Sequence, residues 1–425
     1  MDTVRRHKSG ESVGVYSVCS AHPLVIEAAV LQALDDEDYL LVEATSNQVD
    51  QFGGYTGMVP TDFRELVLSM ASRHGLPEGR VVLGGDHLGP NRWQKLPANE
   101  AMAHAEGIVE SYVTAGFAKI HLDCSMPLGD DPAPPDDDLV AERAARLART
   151  AEGAARGTDR PLYVVGTEVP TPGGAHEALG ELKPTPADAA RATLERHERA
   201  FAEAGLEDAW ERVISLVVQP GVEFDHMRVI DYERAATGEL RRVADDHPQL
   251  IFEAHSTDYQ TPGNLKALVE DHWAILKVGP GLTFAMREAL YALAAVEDEL
   301  FPEGERSELP SVVERRMLAE PAQWEKYYRG DPRTQRLLRR YSYSDRVRYY
   351  WPDPEIHAAQ KRLLSNLTGR GIPPPLLSQH LPEQYARVRR GELSVEAGDL
   401  LLDRVRDVLR AYSLACSPAV TEDPS

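Results

Sequence analysis

The chain has 425 residues, with 46 Lys and Arg against 68 Asp and Glu and a formal net charge of -22. That balance speaks against nucleic acid and anionic membrane surfaces as partners unless basic residues cluster locally, and the lack of any run of about 18 apolar residues argues against a membrane-spanning helix. Cys19, Cys124 and Cys416 are the only thiols; together with a charged opening that lacks an apolar signal-peptide core, they lead us to expect a cytoplasmic protein without a disulfide framework.

Taken in order, residues 13–19 form a β-type run, followed by His22-Pro23 and a helical pattern over 24–34. Residues 40–44 repeat the theme and feed a loop, 52–58, that has three glycines and two aromatics and reads either as a lid or as a tight surface turn. A helix opens at Thr61, with Glu65 near capping-box distance. The third run, 81–83, ends in Gly84-Gly85-Asp86-His87-Leu88-Gly89-Pro90-Asn91, where an acid and an imidazole meet turn formers. Taken alone, that pair reads equally as a helix cap with a hydrogen-bonded loop histidine. A helix near 99–115 and a fourth run, 118–123, follow. The acidic, Pro-rich stretch 129–138 reads as a surface loop before a helix over 139–155. The fifth to eighth runs are 162–168, 213–219, 250–255 and 274–280, with helices centred on 189–203 and 283–299 among the connections.

Eight strand-like runs, each followed by a helical pattern, predict a (β/α)8 TIM barrel over residues 1–300. A doubly wound open sheet is the alternative, but it calls for a polar-faced edge strand that the sequence does not show. Residues 301–425 carry helical patterns without strands, at 314–318, 320–329, 335–341, 354–366 and 395–414, with Pro373-Pro374-Pro375 as a break. This predicts an α-helical C-terminal extension packed on the barrel. Its aromatic stretch 341–351 reads either as a packing or subunit seam or as an active-site cover whose Arg346 and Arg348 hold a phosphate.

Barrel active sites lie at the C-terminal ends of the strands. There the chain places Glu43, Asp86-His87, His121, Asp123, Glu168, Gln219, Asp225-His226, Glu253 and His255. Imidazoles and carboxylates converging from several strands suit a divalent cation, zinc above all, with manganese or another first-row metal as alternatives. His87, His226 and His255 are the candidate ligands. Asp86, Glu43, Asp123 and Glu168 are candidates for proton transfer beside a Lewis acid. Each histidine taken singly also reads as an ordinary loop or core residue. The turn holding Gly279, Gly281 and Thr283 sits where barrels often bind phosphate. Ser256 and Gln219 complete the candidate substrate contacts, although Ser256 also reads as part of a helix cap.

These motifs are familiar. Cys19-Ser20-Ala21-His22-Pro23, Glu43-Ala44-Thr45-Ser46-Asn47-Gln48, Gly84-Gly85-Asp86-His87-Leu88-Gly89-Pro90-Asn91, Gln219-Pro220-Gly221-Val222-Glu223-Phe224-Asp225-His226 and Glu253-Ala254-His255-Ser256-Thr257-Asp258 resemble the Z-subunit family of class II D-tagatose-1,6-bisphosphate aldolase. The likeness runs on through Lys277-Val278-Gly279-Pro280 to Pro352. It implies galactitol or tagatose catabolism. It also implies one of two roles: a stabilising, non-catalytic partner of a Y-type aldolase subunit, or a metal-dependent 4-epimerase of ketohexoses, their uronates or their phosphates. Asp86-His87 is similar to the class II aldolase pair in which the Asp moves protons and the His binds zinc. We expect an epimerase that interconverts D-tagatose 6-phosphate and D-fructose 6-phosphate, with the aldolase-subunit role as the alternative and a homo-oligomer left open. A kinase is not expected, because no Gly-x-x-x-x-Gly-Lys-Ser/Thr phosphate loop is present.

Overall fold

The computed structural model describes residues 2–131, 135–157, 160–166 and 182–418. Eight parallel strands close into one barrel: β1 (Val15–Val18), β2 (Leu40–Thr45), β3 (Val81–Leu88), β4 (Lys119–Leu122), β5 (Leu162–Val165), β6 (Val213–Val217), β7 (Ile251–Ala254) and β8 (Ile275–Val278). Each strand pairs with its sequence neighbours, and β1 meets β8 in the register Val15 to Ile275, so no sheet edge is left in the ring. The open-sheet alternative is thereby excluded. A short antiparallel ribbon, Glu223–Phe224 with Val229–Ile230, follows β6 and was not legible in the sequence.

Helix starts follow local chemistry. His22 Nδ1 accepts from Leu24 N–H at the head of helix Pro23–Asp36. Asp136 caps Asp137–Ala154, Thr261 caps Pro262–Glu270 and Asp353 caps Pro354–Leu367. Proline stands in the first turn of several of these helices, where its missing N–H costs nothing. The N-terminal helix Asp2–Lys8 lies under the barrel, with Val4 packed against Ile214, Ile251, Ala274 and Ile275.

The C-terminal helices are Leu309–Ala319, Pro332–Tyr341, Pro354–Leu367, Pro374–His380, Pro382–Arg390 and Ala397–Cys416. Two expectations change here. Residues 320–329 are not an α-helix but a single tight turn, Pro321–Gln323, followed by irregular chain. The proline run opens a helix at Pro374, since proline fits the first helical position, whereas the preceding helix has already ended at Leu367. The last helix returns to the barrel and packs on Pro23–Asp36, Pro262–Glu270 and Pro280–Leu300. Its Leu400, Leu401, Val405 and Leu409 belong to the same hydrophobic core as the barrel strands.

Candidate active site

Five polar side chains form a layer inside the barrel. Glu43 on β2 accepts from Ser17 Oγ at 2.7 Å and from Lys119 Nζ at 2.8 and 3.0 Å. Lys119 also meets Glu253 at 2.7 Å, and Lys277 on β8 meets Glu43 at 2.9 Å. All five are buried, and opposite charges offset the cost of removing them from water. Gly84 makes the room: a Cβ there would lie 2.5 Å from Glu43 Cγ.

Directly above this layer the pairing of β3 with β4 slips. Gly85 faces Ile120 while Leu88 faces Leu122, so an extra residue bulges between them, and His87 takes a left-handed φ of 50°. The bulge turns both Asp86 and His87 toward one cavity, which a regular strand would not allow. Ligand atoms of Asp86, His87, His121 and His255 all lie within 4.8 Å of one another. His87 Nδ1 is 2.8 Å from Asp123 Oδ2, which also accepts from Asn91 at 2.6 Å; this hydrogen bond fixes the ring and directs Nε2 elsewhere. His255 Nε2 is 2.9 Å from Glu253, and His121 Nδ1 is 3.1 Å from Asp86. The buried Nε2 of His121 has no hydrogen-bond partner among the described residues. Three imidazoles with a carboxylate, one ring nitrogen orphaned and two rings braced by carboxylates, fit a divalent metal of the zinc type.

Electrostatics separates the roles. Burial, the largest influence on Asp86, opposes its charge, but His87 and Lys277 together hold the carboxylate well below the ordinary range. Lys277 Nζ lies 2.8 Å from it. Burial likewise opposes the charge on Lys277, yet Asp86 and the neighbouring anions raise its pKa well above normal. Burial pushes His255 down to about 4, which keeps it neutral as a ligand must be.

The structure brings Asp86, His87 and His255 together and adds His121, which sequence reasoning placed at a strand end but did not choose as a ligand. Asp123 stands behind His87, and Glu43 sits in the layer beneath. Glu168 lies outside the described residues. His226 is not part of the group: its Nδ1 is 2.8 Å from Ser344 Oγ and its Nε2 is 3.2 Å from the Tyr327 carbonyl, so it ties the ribbon to the C-terminal extension.

Of the expected substrate and phosphate contacts, Ser256, Gly279, Thr283 and Arg348 line the cavity, and each also has a partner within the chain. Gln219 accepts from the N–H groups of Gly221 and Val222, bracing its own loop. Ser256 hydrogen-bonds Glu223. The N–H groups of Gly279 and Gly281 both donate to Asp258 Oδ1, and Thr283 Oγ1 donates to Asp345. Arg346 is buried over the Tyr327 ring and donates to the Gln323 carbonyl, away from the cavity. Arg348 does line the cavity, with donors on Ser344, Asp345 and Tyr349.

That cavity holds about 620 Å³. Its floor comes from the strand ends, and Arg348, Tyr349, Trp351 and Gln360 of the extension form part of its wall. Lys277 and Asp258, both missed in the sequence, also line it. The signal for Lys277 was a lysine inside an otherwise apolar strand.

Fold and site together define a (β/α)8-barrel protein with a candidate metal centre at the C-terminal ends of its strands, under a helical cover. The model of the family described as "D-tagatose-1,6-bisphosphate aldolase subunit GatZ/KbaZ-like" matches residues 1–417, and the chain belongs to that family. Its role is accordingly one related to tagatose-bisphosphate aldolase. A crystal structure described as a probable tagatose 6 phosphate kinase from Sinorhizobium meliloti 1021 is similar at 50% identity and a TM-score of 0.89, over 95% of this chain and 100% of that one. The YdjI aldolase from Escherichia coli K12 shares 12% identity at a TM-score of 0.41, over 90% of this chain and 96% of that one. No helix among the described residues is long and apolar enough to cross a membrane.

Proposed function

We propose that the chain is a metal-dependent 4-epimerase of a ketohexose or ketohexose phosphate, working by retro-aldol and aldol chemistry at C3–C4. The family's description supports tagatose metabolism, and the tagatose 6 phosphate in the description of the Sinorhizobium meliloti relative makes D-tagatose 6-phosphate and D-fructose 6-phosphate the first pair to assay, in galactitol or tagatose catabolism. The observation that carries the reading is the group of three imidazoles around an ionised, lysine-paired carboxylate in the wall of a sugar-sized cavity.

His87, His121 and His255 would hold the cation, with zinc favoured by the donor set. Such an ion supplies Lewis acidity toward the C2 carbonyl and the negative charge that develops there. Asp86 accepts the proton of the C4 hydroxyl. The C3–C4 bond then breaks, its electron pair passing to C3 and into conjugation with C2, and C4 becomes an aldehyde carbon. The aldehyde rotates within the cavity, C3 adds to its opposite face, and Asp86 returns the proton to the new C4 oxygen. Lys277 keeps Asp86 ionised and in place between these steps. Tyr349 and Trp351 limit the escape of the cleaved aldehyde.

A second reading, a non-catalytic subunit that stabilises a Y-type aldolase, is favoured by the family's description as a subunit family. One experiment separates the two. The purified chain, supplied with zinc or manganese, is expected to epimerise at least one member of a panel of ketohexoses and their phosphates, with Asp86→Asn lowering kcat by at least about a hundredfold. No turnover with any metal, together with a longer lifetime of a Y-type aldolase when the chain is added, makes the subunit reading the correct one.

A further inference from the structure

We propose that Arg348, together with the hydroxyl groups of Tyr349 and Tyr55, forms an anion subsite in the cavity wall that takes the phosphate of a ketohexose phosphate. The assignment rests on the reading of the cavity as a ketohexose site, and it places recognition of the phosphate chiefly on the C-terminal extension.

Among the described residues, Lys277 and Arg348 are the Lys and Arg side chains that line the cavity. They are not equivalent. Lys277 is spent on Asp86 at 2.8 Å and on Glu43 at 2.9 Å. Arg348 forms no ion pair among the described residues: its Nη1 donates to the Ser344 and Asp345 carbonyls, and its Nη2 donates to the Tyr349 hydroxyl at 3.0 Å. Those oxygens are neutral, so the guanidinium keeps its charge, and Nε and one N–H of Nη2 are left over for a ligand. Arg346, in the same turn, adds to the field. It too lacks a carboxylate partner among the described residues, and the guanidinium carbons of Arg346 and Arg348 lie 4.9 and 4.5 Å from the centre of the Tyr349 ring.

Tyr349 accepts from Arg348 and so has its own proton to give. Burial, the largest influence on this phenol, opposes its ionisation, but Arg348 and Arg346 bring its pKa below the ordinary value, which makes the hydroxyl a stronger donor. Tyr55, on the loop after β2, meets the Tyr349 ring edge-on at 4.9 Å and lines the same cavity, and burial keeps its hydroxyl protonated. A cation and two hydroxyl groups suit the terminal oxygens of a phosphate ester. The turn that carries them is fixed before anything binds. Asp345, which opens the turn Arg346–Tyr349, is held by Arg287 at 2.9 Å and by Thr283 Oγ1 at 2.7 Å. The N–H groups of Gly279 and Gly281 already donate to Asp258, so side chains are left to meet the anion, and no ion pair joins Asp258 to Arg348.

Equilibrium dialysis of radiolabelled sugars against the metal-loaded full chain reads binding whether or not the sugar is turned over. We expect D-fructose 6-phosphate to bind at least about tenfold more tightly than D-fructose. Arg348→Met is expected to weaken the phosphate ester by at least about tenfold and to leave D-fructose within about threefold. Equal affinities for the two sugars in the unaltered chain overturn the proposal, as does an Arg348→Met variant that keeps the preference or weakens both sugars alike. Should that variant fail to fold, Tyr349→Phe and Tyr55→Phe decide: each is expected to weaken D-fructose 6-phosphate by at least about threefold without moving D-fructose. Unchanged binding of the phosphate ester in either one overturns the proposal. A preference that Arg348→Met abolishes, without epimerisation of any sugar by the unaltered chain, keeps the subsite and ends the epimerase reading; epimerisation with a preference that Arg348→Met leaves intact does the reverse. If neither sugar binds, both fall.

Discussion

Asp86 and His87 are adjacent in the chain yet face the same cavity, and the bulge between Gly85 and Leu88 is what permits it. The left-handed φ of His87 is the local strain that accompanies it, as is common where geometry serves chemistry. The sequence made both residues conspicuous but not their joint orientation, because strict alternation predicts opposite faces. The same limit explains the exchange of His226 for His121. Both lie near strand ends, and only the fold shows that His226 is spent on Ser344 and Tyr327 while His121, bonded to Asp86 through Nδ1, keeps an Nε2 without a partner among the described residues. We therefore expect His121→Ala to weaken divalent-metal binding by at least about tenfold in a competitive chelator titration, and His226→Ala to leave it within about twofold, as befits a residue outside the metal group. Equal losses in the two variants would remove His121 from the ligand set.

The strands were the most legible elements, because each β-branched run ended in turn formers. Their inner faces were less so. The acids at the ends of β2 and β7 were visible, but nothing in one dimension says that Lys119 and Lys277 meet them inside the ring. Gly84 shows what that meeting requires: its missing side chain leaves space for Glu43, which Ser17 and Lys119 hold in place. Gly84→Ala forces a methyl group against a carboxylate that cannot swing aside. Overpacking of this kind should lower stability by about 1–3 kcal/mol, read as a drop in the urea midpoint. An unchanged midpoint would mean that the polar layer is looser than its contacts indicate. In the extension, Pro321 and the irregular chain after it interrupt what periodicity alone read as one helix over 320–329.

At the level of the molecule, eight repeats of strand and helix were enough to read the barrel, since a repeated local pattern closes in essentially one way. The place of the extension was not readable, because it depends on contacts between distant segments, such as Tyr412 with Thr257 at 3.0 Å and Gly14 with the Cys416 carbonyl at 2.9 Å. Those contacts wrap the C-terminus around the barrel, while Tyr349 and Trp351 complete the cavity wall. A shared core and a shared cavity mean that the extension and the barrel present one site. The central claim is that this site, without any other protein, breaks and remakes the C3–C4 bond of a ketohexose. The measurement closest to that claim is NMR of the 4-epimer formed by the metal-loaded chain in D2O. Retro-aldol chemistry never breaks the C4–H bond, so the product is expected to keep protium at C4; deuterium at C4, or no epimer from any ketohexose or ketohexose phosphate, would contradict the account.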